Sequence, residues 1–299
     1  MKKSIYLLVV CFILTASQVF GQDYTFKVLT NKGLNEVKSG GTWQPIKTGA
    51  TLKAGDEIKI VDNASVALVH KTGTAIEERK AGTYKIDDLE KRVKSTPSVL
   101  NKYTDFMLAS NSAEAKKNRL SATGAVHRGL EDIKVYLPEN QNSEIFNSTV
   151  YVNWEAKTTG PYIVTVKNMF DEELAKIETP ETSVKIDLSD PKFASENAIL
   201  VMVRAKSDSK SKSEDYLVKK LSTARYETIK KSFTELNNEL TPDYAELNKL
   251  IQASFYEQNK LFIDAISSYE ELIKLDPSNE SYREMYDEFL YRNKLKNPK

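Results

Sequence analysis

Between Tyr24 and Leu89, seven of the chain's 11 glycines, Gly33, Gly40, Gly41, Gly49, Gly55, Gly73 and Gly82, separate short runs of alternating apolar and polar residues. Glycine at this density weakens a helix, and a period of two is what a strand with one buried face requires, so the stretch reads as a compact all-β unit. Tyr24, Phe26 and Val28 share one face. Ile58 and Ile60 alternate with Glu57 and Lys59, Val66 and Leu68 precede His70, and Tyr84 and Ile86 close the unit. Gly40, Gly41 and Gly55 fall where tight turns need positive φ, and Asp56 and Asn63 can hydrogen-bond a turn backbone.

Trp43, Pro45-Ile46, Gly49, Leu52 and Gly55-Asp56, followed by an alternating strand and Gly73-Thr74, resemble the FecR-type periplasmic domain. The resemblance implies a non-catalytic domain outside the inner membrane, of the kind that relays a receptor's state to a sigma factor. The residues before Tyr24 do not read as a cytoplasmic sigma-binding segment, so the relay role is not carried over.

Residues 1–21 read as a targeting segment. Lys2 and Lys3 precede an apolar run from Ile5 to Leu14, and Val19-Phe20-Gly21 suits cleavage after Gly21. The alternative is an uncleaved anchor helix. Val10 is wrong for a lipobox, so Cys11 is not expected to carry lipid. Cleavage removes the single cysteine, and losing Lys2 and Lys3 takes the net charge from +1 to −1. Nucleic acid is therefore not an expected partner, no stable membrane span is expected after cleavage, and no disulfide can form within one chain.

Residues 90–129 read as a linker carrying a short amphipathic helix. Thr96-Pro97 would start it, and Val99, Leu100, Tyr103, Phe106 and Met107 recur at helical spacing. Leu120 to Gly129 could form an edge strand, with His127 in a structural role. From 130 to 222 the period returns to two, with seven expected strands near 134–137, 149–154, 162–168, 173–178, 183–187, 198–205 and 215–221. Val150, Val152 and Trp154 would face a core, with Tyr151 and Asn153 pointing away. This run resembles a disulfide-free fibronectin type III or immunoglobulin-like sandwich. Asp171-Glu172-Glu173 reads as a solvated hairpin turn.

After Ser222 the period becomes 3.6, giving helices over 224–238, from Thr241-Pro242, over 262–275 and over 282–295. Ala253, Tyr256, Phe262, Ala265, Tyr269 and Pro277 stand at the small, aromatic and proline positions of a tetratricopeptide repeat, which residues 223–299 resemble over one unit. Two functions are open to it: packing the flanking helices, or gripping a peptide or second protein.

The expected fold is a multidomain α+β chain of three independently packed units: FecR-like β domain (22–89), immunoglobulin-like sandwich (130–222) and helical bundle (223–299). Two histidines in separate segments and the absence of nucleophile-elbow, phosphate-loop and zinc motifs argue against an enzyme. No cofactor and no metal is expected. The sequence reads as an exported protein-interaction scaffold or sensor of the bacterial envelope, periplasmic or at the cell surface. Its partners would be envelope proteins, bound through the FecR-like and repeat-like modules. The alternative is a glycan or peptidoglycan binder in which Trp43 or Tyr84 stacks on sugar rings, against which stands Trp43 as a core residue.

Overall fold

The computed structural model describes residues 24–93, 98–112, 114–117, 133–139 and 141–296. Residues 1–21, expected to be a targeting segment, together with Thr96-Pro97 and Leu120 to Gly129 with His127, lie outside the described residues.

The first unit has eight strands: β1 (Phe26–Lys32), β2 (Glu36–Ser39), β3 (Thr42–Pro45), β4 (Thr51–Leu52), β5 (Glu57–Ile60), β6 (Ser65–His70), β7 (Ala75–Glu78) and β8 (Gly82–Lys85). They form two four-stranded antiparallel sheets, ordered β4-β1-β6-β7 and β3-β2-β5-β8. Phe26, Val28, Ile58, Ile60, Val66 and Leu68 fill the space between them. Ile86 does not continue the last strand. It opens a short helix, α1 (Ile86–Glu90), which buries Ile86 and Leu89 on one side while Asp87 and Asp88 sit favourably in its first turn.

The amphipathic helix of the linker forms as α2 (Asn101–Ser110), burying Leu100, Tyr103 and Met107. The central unit comprises β9 (Ile133–Val135), β10 (Glu144–Ile145), β11 (Thr149–Ala156), β12 (Tyr162–Lys167), β13 (Glu173–Thr179), β14 (Ser183–Asp187), β15 (Ala198–Ala205) and β16 (Tyr216–Lys220). All seven expected strands form. The additional one, β10, is two residues long and runs parallel to β16. The sheets are ordered β14-β11-β9 and β10-β16-β15-β12-β13, the division of strands expected of an immunoglobulin-like sandwich. Trp154 stands edge-on to Tyr162 between them, with ring centroids 5.4 Å apart.

Four helices follow: α3 (Thr223–Asn237), α4 (Ala245–Gln258), α5 (Phe262–Leu275) and α6 (Glu280–Arg292). Ser222 caps α3 by accepting from the Arg225 N–H, and Asn279 caps α6 through the Ser281 N–H. Thr241-Pro242 does not start α4. It forms a turn in which the Thr241 carbonyl accepts from the Tyr244 N–H and the Asn248 side chain, and α4 begins only at Ala245.

The three units do not pack independently. One apolar cluster runs from Leu29, Ala67 and Val69 through Trp154 and Val203 to Phe255 and Phe289. Alternation along β6 explains the first link: Val66 and Leu68 face the first unit's own core, while Ala67 and Val69 face the larger one. Strand β11 explains the second. Val150, Val152 and Trp154 face the sandwich core, but Tyr151 and Asn153 on the opposite side are buried too, because α5 lies across that face. The side expected to point away from the core is therefore covered as well.

Candidate binding surfaces

The joint between α5 and the sandwich is built from buried polar groups. The Asp264 carboxylate, fully buried in the first turn of α5, accepts from the Phe146 N–H at 2.8 Å, the Asn147 N–H at 2.8 Å and Asn147 Nδ2 at 2.9 Å. Asn147 also donates to Tyr256 Oη at 2.9 Å. One turn on, the Ser267 hydroxyl donates to the Thr149 carbonyl at 2.9 Å. Asn153 Nδ2 then donates to Glu270 at 2.6 Å and Tyr286 Oη at 2.9 Å, and Lys274 lies 4.3 Å above the Tyr151 ring. Burial pushes the Asp264 carboxyl up to about 6 despite its N–H donors, and it raises the Glu270 carboxyl and the Tyr256 and Tyr286 phenols as well.

A second buried tie joins the ends of α4 and α6. Arg292 reaches Glu257 in bidentate fashion, Nε and Nη2 each 2.6 Å from a carboxylate oxygen, and Asn293 donates to the same carboxylate at 2.7 Å. Ties also run from the first unit to the helices. Arg79 bridges Glu77 and Glu246, and Lys32 pairs with Asp276 at 2.9 Å. Hydrogen bonding to Arg79 holds the Glu246 carboxyl below its ordinary value, whereas burial raises that of Glu77. Among the described residues, no group of three or more His, Cys, Asp or Glu is placed to hold a metal ion.

The repeat-pattern residues come together as packing. Ala253 and Ala265 are fully buried, Tyr256 stacks on Phe233 at 5.4 Å, Phe262 meets Phe289 edge-on at 6.1 Å and Tyr269 lies parallel to Tyr286 at 5.3 Å. Pro277 is exposed in the turn after α5. A further face of α4 is covered by α2: Tyr103 packs on Phe255 at 5.4 Å, the Ser254 hydroxyl donates to the Tyr103 carbonyl at 2.8 Å, and Gln258 Nε2 donates to the Lys102 carbonyl at 3.0 Å. Glu239, after α3, accepts from the Ser98 hydroxyl and the Val99 N–H beside the start of α2. Nothing in the local sequence marks these long-range partners, because each pair is separated by more than 100 residues.

The FecR-pattern residues divide by role. Leu52 is core, Asp56 accepts from the Lys53 N–H at 2.8 Å within its turn, and the Gly55 N–H donates to Asp87 at 3.1 Å. Gly49 turns the chain at φ 82°, with open space where a side chain would go. Gly73 adopts φ 91°, and a Cβ there would fall under 3.0 Å from Asn101, the first residue of α2. Trp43 is not a core residue. It is half-buried on the solvent face of β3 because Val37 and Ile58 take the inward register positions, leaving the row Trp43, Lys38, Glu57 and Lys85 facing water. Lys38 Nζ lies 5.8 Å from the Trp43 ring. Tyr84 packs on the inner face instead, and its hydroxyl donates to the Lys80 carbonyl at 2.7 Å. His70 is buried against the Phe26 ring, with Thr72 and Glu90 on its two nitrogens.

Between the first unit and the helices lies an open cleft of about 550 Å³, lined by Ile76, Glu78, Arg92, Leu100, Thr241 and Tyr244. No helix among the described residues is long and apolar enough to cross a membrane. No family model matches the sequence, and no curated protein matches it either.

Proposed function

We propose that this chain is a non-catalytic exported scaffold of the bacterial envelope, holding partner proteins at fixed positions rather than transforming a substrate. The observation that carries this reading is the use made of its buried acids. Asp264 and Glu257 each end on N–H or guanidinium donors of another element, and Glu270 ends on the Asn153 amide of β11. Groups of this type supply acid–base chemistry when they face a cavity. Here they fasten helices to the sandwich and to one another, which favours a rigid body whose outward faces are the working parts. The resemblance of residues 22–89 to the FecR-type domain, together with the targeting segment, supports export.

Deleting residues 222–299 is a poor test of partner binding, because the sandwich would lose the helices that complete its core. Surface variants avoid that. Envelope extracts would be passed over immobilised full chain carrying Lys59→Glu with Lys85→Glu on the outer face of the first unit, or Tyr226→Ser on α3. Reduced recovery of a defined partner with either set supports the scaffold reading, and identical recovery from wild type and both sets counts against it.

A second reading is supported by one observation, the outward placement of Trp43. A half-exposed indole on the outer face of a sheet, flanked by charged side chains, is a platform on which a sugar ring can stack. Retention of the full chain on cell-wall polymer, lost in Trp43→Ala, is the expected result of that reading. Equal retention of the two proteins would remove it.

A further inference from the structure

The second sheet of the sandwich ends on an open strand. β13 pairs with β12 on one side, and among the described residues no strand pairs with its other side. Its inward residues are Ala175, Ile177 and Thr179, opposite Val166, Val164 and Tyr162, which leaves Lys176 and Glu178 on the outer face, where Glu178 also meets Lys206 at 2.6 Å in a pair whose two side chains are half exposed. The hairpin leading into it is rigid and carries apolar weight at its tip. Asn168, itself 4% exposed, accepts from the Phe170 and Glu172 N–H groups at 2.9 and 3.0 Å and donates to the Glu172 carboxylate at 2.6 Å. Lys167 pairs with Asp171 across the same turn. This framework holds Met169 54% and Phe170 85% exposed. These two adjacent side chains offer apolar area to a contact.

We infer that this edge is a self-association surface, on which β13 pairs antiparallel with β13 of a second copy about a twofold axis through Ile177. Charge selects both the occupant and the register. Directly opposed residues of an antiparallel pair share a face, so a twofold axis must pass through a residue. Centred on Lys176 or on Glu178, the pairing sets like charges against each other; centred on Ala175, it sets Lys176 opposite the bulged Leu174 and Glu178 opposite Glu172, an acid against an acid. Centred on Ile177, it places Lys176 opposite Glu178 of the second copy, twice, and Ile177 opposite itself. In that register the bulge at Leu174 falls opposite Pro180, so the ladder runs from Ala175 to Thr179 and stops where neither backbone can continue it. Charged residues usually keep an edge strand apart from other chains. On β13 they are complementary to their own copy, and the two hairpin tips flank the ladder and supply apolar area that a short backbone ladder lacks.

Sedimentation velocity on the full exported chain tests this. A reversible dimer is expected, with a dissociation constant on the order of 10 µM for an interface this small. Lys176→Glu or Glu178→Lys alone should weaken it by about tenfold, since each turns two attractive cross-strand pairs repulsive. The double reversal should restore the wild-type constant to within about threefold, because a self-pairing strand regains its complementarity when both charges are exchanged. Phe170→Ser should weaken the dimer with both charges intact. A chain that stays monomeric up to about 1 mM overturns the inference. So does a double reversal no tighter than the single variants, which would assign the edge to a strand of different sequence.

Discussion

Asp264 holds Asn147 twice, through the backbone N–H at 2.8 Å and the side-chain amide at 2.9 Å, and so joins the first turn of α5 to the loop entering β11. The contact spans two regions that the sequence presents as separate modules. It is also a point at which the stability of the whole chain becomes sensitive to pH.

Replacing Asp264 with Asn sets an amide N–H₂ among N–H donors and should cost about 2–3 kcal/mol at pH 7. Its ordinary value of 3.8 is raised to about 6 in the fold, so the folded protein binds the proton more tightly than the unfolded chain. The associated stabilisation is complete below about 3.8 and is lost as pH rises through 6. The advantage of wild type over Asp264→Asn should therefore grow by about 1 kcal/mol between pH 7 and pH 5 in urea unfolding. A constant difference across that window would contradict the assignment.

Glu257 and Arg292 form a bidentate pair in which both side chains are largely buried. Glu257→Gln leaves the guanidinium without its counter-charge and should destabilise by about 3–5 kcal/mol. Exchanging both, Glu257→Leu with Arg292→Met, should recover most of that loss, because neither desolvated charge then remains. Urea unfolding followed by circular dichroism separates the cases, and a double variant as unstable as the single one would show that the pair itself is the stabilising element.

Gly73 and Gly49 share positive φ but differ in surroundings. Gly49→Ala meets open space and should cost about 1–2 kcal/mol from backbone conformation alone. Gly73→Ala must in addition displace Asn101, so it should cost more and loosen α2. Amide hydrogen exchange over residues 101–110 should quicken in Gly73→Ala and remain unchanged in Gly49→Ala.

Trp43→Ala should alter stability by less than about 1 kcal/mol, since the indole stands on a solvent face and its main neighbour is the Lys38 ammonium. A collapse of the first unit, seen as lost near-ultraviolet dichroism, would return Trp43 to the core.

Local pattern made much of the architecture legible. Alternation located β11 through β16, glycines located the turns of the first unit, and helical spacing placed α5 at Phe262–Leu275 without error. These features depend on a residue and its near neighbours. Two readings failed for one shared reason. Trp43 reads as core by its type, and Tyr151 with Asn153 as pointing away from the core by their period. Which side of a strand is buried depends on what lies across from it, and for β11 that is a helix more than 100 residues later in the chain.

Periodicity and turn residues, acting over a few positions, determined the elements, their order and the mixed α+β class. Tertiary structure alone decided that the sandwich and the helices share one core onto which the back of the first unit packs, that α2 lies on α4, and that Asp264, Glu257 and Glu270 serve as joints. Backbone geometry is a local property of the chain, whereas the desolvation and pairing of a side chain depend on groups that meet only when distant segments come together.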